Sequence, residues 1–291
     1  SSAELITLYL ALELSSYSLY ALIPLRGNDR RAAEAAIKYI LFGAVVTAVA
    51  LYGLSFIMAS QHTTSIQGLM DKPWSMAENP MSGCLAILAA LSMTLGTLTA
   101  LVQKDVKRLL GYSSVSHAGY VMLGLVSGTA AGLSAATFYA LVYLLMNLTC
   151  FFVLSRIATR GENVTLTGLN GLYKKSPGLA LILAVSAFAL VGLPPTAGFA
   201  GKLFLLASAW DHGYNWLVIV AVLNTAIAIY YYLNLVRHAY TEESDANDPV
   251  LAIPTGQMAV GGVLAVCVLL LGVLPAPIYD LALTAGKALL P

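Results

Sequence analysis

Apolar residues in this chain gather into long runs, and polar residues fall in the short stretches between them. A run of about 20 residues makes a helix long enough for the ~30 Å hydrocarbon core of a bilayer. Eight runs meet that length: 3–25, 34–58, 84–103, 109–127, 133–157, 176–210, 214–236 and 257–275. The pattern predicts an all-α polytopic membrane bundle of about eight transmembrane helices. The fourth run opens with the polar stretch YSSVSH (112–117), so its limits are the least defined. The tail 276–291 reads as a short amphipathic or interfacial piece.

The sixth run is too long for one straight crossing. As a single helix, 176–210 would extend roughly 50 Å. GLPPTAGFAGK (192–202) sits inside it. Pro194 and Pro195 lack backbone N–H groups, so the carbonyls near Leu190 and Val191 lose their helical donors. Pro194, Pro195 and Gly198 therefore mark a broken helix. Irregular backbone at membrane depth persists where it is buried in protein or lines a wet cavity, and interrupted helices of this kind mark ion sites in transporters. The break predicts a local water-filled pocket.

Charge changes the picture next. Only 10% of the 291 residues are charged, against 59% hydrophobic, with a mean hydropathy of +0.80 and a net charge of +1. Soluble domains carry about 25% charge. With eight alternating spans, Arg26, Arg30, Arg31, Lys104, Lys107, Arg108, Arg156, Arg160, Lys174, Lys175 and Arg237 all fall on one side, and only Lys72 and Lys287 on the other. The positive-inside rule places the first group in the cytoplasm. Both termini then face outward. The chain starts without Met or a charged leader, almost directly inside an apolar helix, which suggests a fragment.

Four ionisable residues lie inside predicted spans: Glu13, Lys38, His117 and Lys202. A mid-membrane charge costs at least about 2.5–3.5 kcal/mol, and such residues usually face the protein interior on ion or substrate paths. Glu13 is followed by Ser15, Ser16, Tyr17 and Ser18, a polar stripe; its plainer role is a neutral, hydrogen-bonded acid. Lys38 has Glu34 four residues earlier and lies near a helix end, so snorkelling is its plainer role. His117 is flanked by Ser113, Ser114 and Ser116, which could hold water. Lys202 lies two turns past Pro195, too deep to snorkel easily; its plainer role is a structural ion pair.

Other features are bland. Cys84, Cys150 and Cys267 are far apart and sit in apolar segments, with no metal spacing and no disulfide framework. Tyr230, Tyr231 and Tyr232 could form an interfacial belt or line a polar path, with packing favoured. The acidic stretch 242–248 reads as a solvated loop. Gly261 and Gly262 are expected to permit close helix packing. No nucleotide, haem or redox-centre motif is present, so any catalysis is ion movement powered from elsewhere.

Several stretches carry a resemblance: ALEL (11–14), EAAIKYILFGA (34–44), LTALVQKDVKRLLGYSSVSHAGY (98–120), GLPPTAGFAGKLFLL (192–206) and IAIYYYLNLV (227–236). In this order they resemble the antiporter-like membrane subunits of respiratory complex I, nearest to the subunit N (subunit 2) branch of bacterial NADH-quinone oxidoreductases. The resemblance implies two inverted five-helix repeats, each with a broken helix, and a buried Glu/Lys/His chain that carries protons. It assigns Glu13 and Lys38 to the first repeat, His117 to the central axis and Lys202 to the second broken helix. It further implies residues 1–59 as a remnant of the first repeat, 60–83 as an extramembrane loop, 84–240 as the second repeat with its broken helix at 176–210, and 241–291 as acidic loop and C-terminal helix. The family's first four helices, and those expected after the 60–83 loop with the first broken helix, are absent.

By this resemblance the chain holds no cofactor. NADH, FMN, iron–sulfur clusters and quinone are expected in partner subunits, which include other complex I membrane subunits and, indirectly, the quinone reductase module. The lipid bilayer is the other partner, and nucleic acid is not one. The expected location is the bacterial plasma membrane. A multi-subunit sodium/proton antiporter subunit and a non-pumping assembly subunit are the alternatives.

Overall fold

Polar stretches between the apolar runs supply the helix caps. The computed structural model describes residues 80–158, 163–241 and 253–289, with single helical positions at Ile6, Thr7, Leu10, Leu51 and Ser55. The chain divides into two units, Ser1–Trp74 with Pro291, and Ser75–Leu290. Most of the spans expected at 3–25 and 34–58, and with them Glu13 and Lys38, lie outside the described residues.

Numbered from the first described, the helices are α1 (Pro80–Leu101), α2 (Val106–Val126), α3 (Ala130–Ile157), the short α4 (Leu172–Lys175), α5 (Pro177–Val191), α6 (Ala197–Asp211), α7 (Asn215–Tyr240), α8 (Thr255–Val273) and α9 (Ala276–Leu289). α1 starts four residues before the expected position, on Pro80, a residue suited to a first helical turn. Asp105 caps α2, its carboxylate accepting from the Arg108 N–H at 3.0 Å. Thr129 caps α3 by accepting from the Gly132 N–H at 3.1 Å. A small clip joins two loops at the basic end of the bundle: Val106 donates to the Val164 carbonyl and Leu166 to that of Lys104, each at 2.9 Å.

Five described helices are long and apolar enough to cross a membrane: α1, α2, α3, α7 and α8. The long sixth run is two helices, not one. α5 and α6 hold 15 residues each, separated by Gly192–Thr196. Each is about 22 Å long, too short to cross alone. α5 packs against α3, α7 and α8, and α6 against α2, α3 and α8.

Large apolar side chains cover the outside of the bundle as well as filling its core. Leu91, Leu95, Leu144, Leu148, Leu223 and Val263 are exposed, whereas Ser113, Ser116, His117, Ser186, Lys202 and Asn224 are buried. That is the arrangement a lipid solvent selects, because polar groups in hydrocarbon must find partners inside the protein. Gly261 meets expectation, since a Cβ there would stand 2.5 Å from Phe152 and 2.8 Å from Ile182; at Gly262 no described residue lies within 4 Å.

Candidate functional site

The site is built from the break outward. α5 ends where Gly192 takes a left-handed conformation (φ 90°, ψ 45°). The N–H groups of Gly192 and Leu193 both donate to the Phe188 carbonyl at 3.0 Å. Pro194 and Pro195 follow, joined by a cis peptide bond. α6 begins after Thr196, whose hydroxyl turns back to the Leu193 carbonyl at 2.6 Å. Leu190 and Val191 are left with no backbone donor from the two prolines, as the sequence predicts.

Lys202 supplies the donors. Its ammonium donates to the Val191 carbonyl at 2.8 Å and the Leu190 carbonyl at 3.3 Å. The side chain is only 5% exposed. Helical side chains lean toward the N-terminus of their own helix, so Lys202 reaches back over its first turns to the break. The carbonyl end of α5 carries partial negative charge, which favours a cation there. The ammonium also sits 4.7 Å from the ring centre of Tyr120. Its contacts among the described residues are two carbonyls and one aromatic face, and none is a carboxylate. The structural ion pair considered for Lys202 is absent from that set.

Two glycines let the backbones close around this point. Gly198, assigned to the break, is the second residue of α6; a Cβ there would collide with the Ala189 carbonyl oxygen. Gly272 of α8 backs the break, where a Cβ would strike Pro195 and Thr196.

His117 lies one turn of α2 from Tyr120. Both ring nitrogens are engaged: Nδ1 with the Tyr139 hydroxyl at 2.7 Å and Nε2 with the Tyr232 hydroxyl at 3.2 Å. A neutral imidazole has one donor and one acceptor nitrogen, so one phenol donates to the ring and the other accepts from it. Tyr143 stacks on the imidazole at 4.6 Å between centroids. Tyr120 stands 6.1 Å from it and is anchored by its hydroxyl to Thr225 at 2.7 Å and the Ala221 carbonyl at 2.8 Å. Lys202 and His117 are thus bridged by one aromatic side chain.

Of the predicted residues, the structure brings together Lys202, His117, Pro194, Pro195 and Gly198. Glu13 and Lys38 lie outside the described residues. Ser116 bonds Thr97 at 2.9 Å, while Ser113 and Ser114 turn to backbone carbonyls of their own helix. Of the tyrosine cage, the sequence singles out Tyr232 alone and misses Tyr120, Tyr139 and Tyr143. Its signal is nonetheless present: Tyr139, Tyr143 and Asn147 recur every fourth residue, one stripe of α3, and Asn147 donates to the Tyr143 hydroxyl at 3.2 Å. Packing is the role the sequence favours for Tyr230–Tyr232. Tyr230 is 67% exposed, whereas Tyr232 is fully buried and binds His117.

These contacts predict a contrast. Tyr232→Phe leaves a buried imidazole nitrogen unpaired and lowers the stability of the detergent-solubilised protein by about 1–3 kcal/mol. Tyr230→Phe, at an exposed ring, leaves the melting temperature unchanged.

The family model described as "NADH:quinone oxidoreductase/Mrp antiporter, TM" matches residues 2–78 and 70–228. A protein named NADH-quinone oxidoreductase subunit N 2 from Solidesulfovibrio magneticus is 56% identical, over all of this chain and 76% of its own length. Its namesake from Opitutus terrae is 36% identical, over 96% of this chain and 73% of its own length. A chain of respiratory complex I from Thermus thermophilus, solved with bound aureothin, superposes with a TM-score of 0.78 at 31% identity, covering 96% of this chain and 75% of that one. The Solidesulfovibrio alignment runs over 356 positions, more than the 291 residues here, so that relative carries residues this chain skips. The two matched stretches of the family model overlap at 70–78, in the part of the sequence after which the resemblance expects further helices. By sequence and fold together, the chain belongs to the NADH:quinone oxidoreductase/Mrp antiporter membrane family.

Proposed function

We propose that this chain is a proton-translocating membrane subunit of an NADH-quinone oxidoreductase. It lies in the bacterial plasma membrane with its basic loops cytoplasmic, beside other complex I membrane subunits. α5 and α6 form one interrupted crossing. The observation that carries the reading is Lys202: a buried ammonium held by the carbonyl end of a broken helix, one side chain from His117. Among the described residues this lysine is held by two carbonyl dipoles and an aromatic face, with no carboxylate in that set. Those contacts weaken when the amine gives up its proton, so its charge state responds to the field around it.

NADH, FMN, iron–sulfur clusters and quinone belong to partner subunits in this reading. Quinone reduction there changes the field at Lys202, and proton transfer here is the response. By the family resemblance, Glu13 and Lys38 belong to the same set of proton-carrying residues. The test is the proton-to-electron ratio of the assembled complex carrying Lys202→Met, which falls.

The family model's description also names the Mrp antiporter, which keeps a multi-subunit sodium/proton antiporter as the alternative. Subunit N relatives favour the oxidoreductase. Sodium-dependent transport without quinone reductase activity would favour the antiporter instead. The skipped residues motivate a third reading, a non-pumping assembly subunit; an unchanged ratio in a Glu13→Gln, Lys202→Met double variant, with assembly lost on deletion of the chain, would support it.

A further inference from the structure

From Lys202 the seam between α2, α3 and α6 runs toward the end of the bundle opposite the basic loops, and its contacts change character layer by layer. Lys202, Leu205 and Ser208 share one face of α6, three residues apart. Tyr120, Gly124 and Ser127 share the facing stripe of α2. The pairs meet in register. Tyr120 lies against the Lys202 ammonium. Gly124 lies against Leu205, where a Cβ would stand 2.5 Å from Leu205 Cδ2. Ser127 accepts a hydrogen bond from Ser208 at 3.1 Å.

The third layer is polar and leads outward. Ser127 also donates to the Gly124 carbonyl at 2.9 Å and lies 3.2 Å from the Thr129 hydroxyl. Gly132 of α3 leaves the room these hydroxyls occupy. One turn farther along α6, exposed His212 has Nδ1 2.7 Å from the Ser208 carbonyl oxygen. Ser127 and Ser208 are buried, at 6% and 7% exposure, although they lie near the ends of their helices.

Between the buried ammonium and this hydroxyl cluster stands one apolar layer. Leu205 is fully buried, and Ala136 of α3 packs on the same glycine that receives it. An apolar side chain filling a narrow gap leaves water no partners, and such constrictions close a conducting path by keeping it dry.

We propose that this seam is the outward release route for the proton that leaves Lys202, with Ser208, Ser127 and Thr129 as its polar outlet and Leu205 as the dry layer that keeps it shut at rest. The proposal rests on the proton-translocating reading. Backflow is blocked by a side chain whose movement, not whose chemistry, opens the path. Gly124 is small because the gate needs somewhere to sit.

The experiment uses the assembled complex in proteoliposomes without NADH, with a pH step imposed and the internal pH followed by a trapped dye. Leu205→Ser makes the dry layer polar and raises passive proton entry at least about tenfold. Leu205→Met, which keeps apolar volume, stays as tight as the parent. Adding Ser127→Ala and Ser208→Ala to Leu205→Ser returns the leak toward the parent value. A Leu205→Ser complex as tight as the parent overturns the proposal, as does a leak indifferent to the two serines. Ser208→Ala alone provides a milder variant: it slows turnover against a proton gradient while assembly is unchanged, and unaltered turnover counts against the route. Failure of the underlying function is read separately, as a full proton-to-electron ratio in Lys202→Met.

Discussion

Replacing Lys202 with methionine removes this chain's share of pumped protons while electron transfer in the complex continues. The proton-to-electron ratio, measured in sealed vesicles, therefore drops. Methionine matches lysine in length but has no proton to give. The same change leaves the Leu190 and Val191 carbonyls without their side-chain donor. An orphaned buried acceptor costs about 1–3 kcal/mol, so the variant also melts earlier. Lys202→Arg separates the two roles. A guanidinium keeps donors and charge at the break but does not deprotonate in a protein. Its complex is expected to assemble with better retained stability and to pump no better than Lys202→Met. A methionine variant with the parental ratio would refute the role assigned to Lys202.

Gly198→Val produces the second large effect, on assembly rather than transfer. The added Cβ would be built onto the Ala189 carbonyl oxygen, with the Met146 sulfur only 3.0 Å away. Neither α5 nor α6 can yield, because each packs on α3 and α8. Overpacking a tight core typically costs about 1–3 kcal/mol and occasionally more, and a clash with backbone belongs at the upper end. The expected result is a complex that fails to retain this subunit, or retains it with a sharply lowered melting temperature. Gly111→Ala is the control, since no described residue lies within 4 Å of that position. Normal assembly of Gly198→Val would mean that the close approach of the two half-helices is dispensable.

The break is legible in the sequence because its causes are local. A 35-residue apolar run cannot fit a bilayer as one straight helix, and two prolines name the carbonyls they abandon. What fills the gap is not legible there. The sequence pattern points to a wet pocket beside the carbonyls, whereas the Lys202 ammonium itself occupies two of them. That assignment depends on the lean of a side chain over its own helix, which spacing alone does not specify. The tyrosines are harder still. Three in a row, Tyr230–Tyr232, span about 200° of helix surface, so one faces outward while another meets His117. Deciding which requires knowing the rotation of α7 against α2. Spans 84–103, 133–157, 214–236 and 257–275 each lie within four residues of a described helix boundary, since hydropathy fixes length better than facing.

The pair of phenols on His117 has a kinetic consequence. When a proton enters at one nitrogen and another leaves from the opposite nitrogen, the imidazole changes tautomer and every hydrogen bond in the Tyr139–His117–Tyr232 string reverses direction. The string cannot repeat the transfer in the same sense until the imidazole has returned to its first tautomer and both hydroxyls have rotated back. In the proposed proton path, a cycle through this ring would include a reset step without net proton transfer, and the Tyr143 ring stacked on the imidazole would oppose that step.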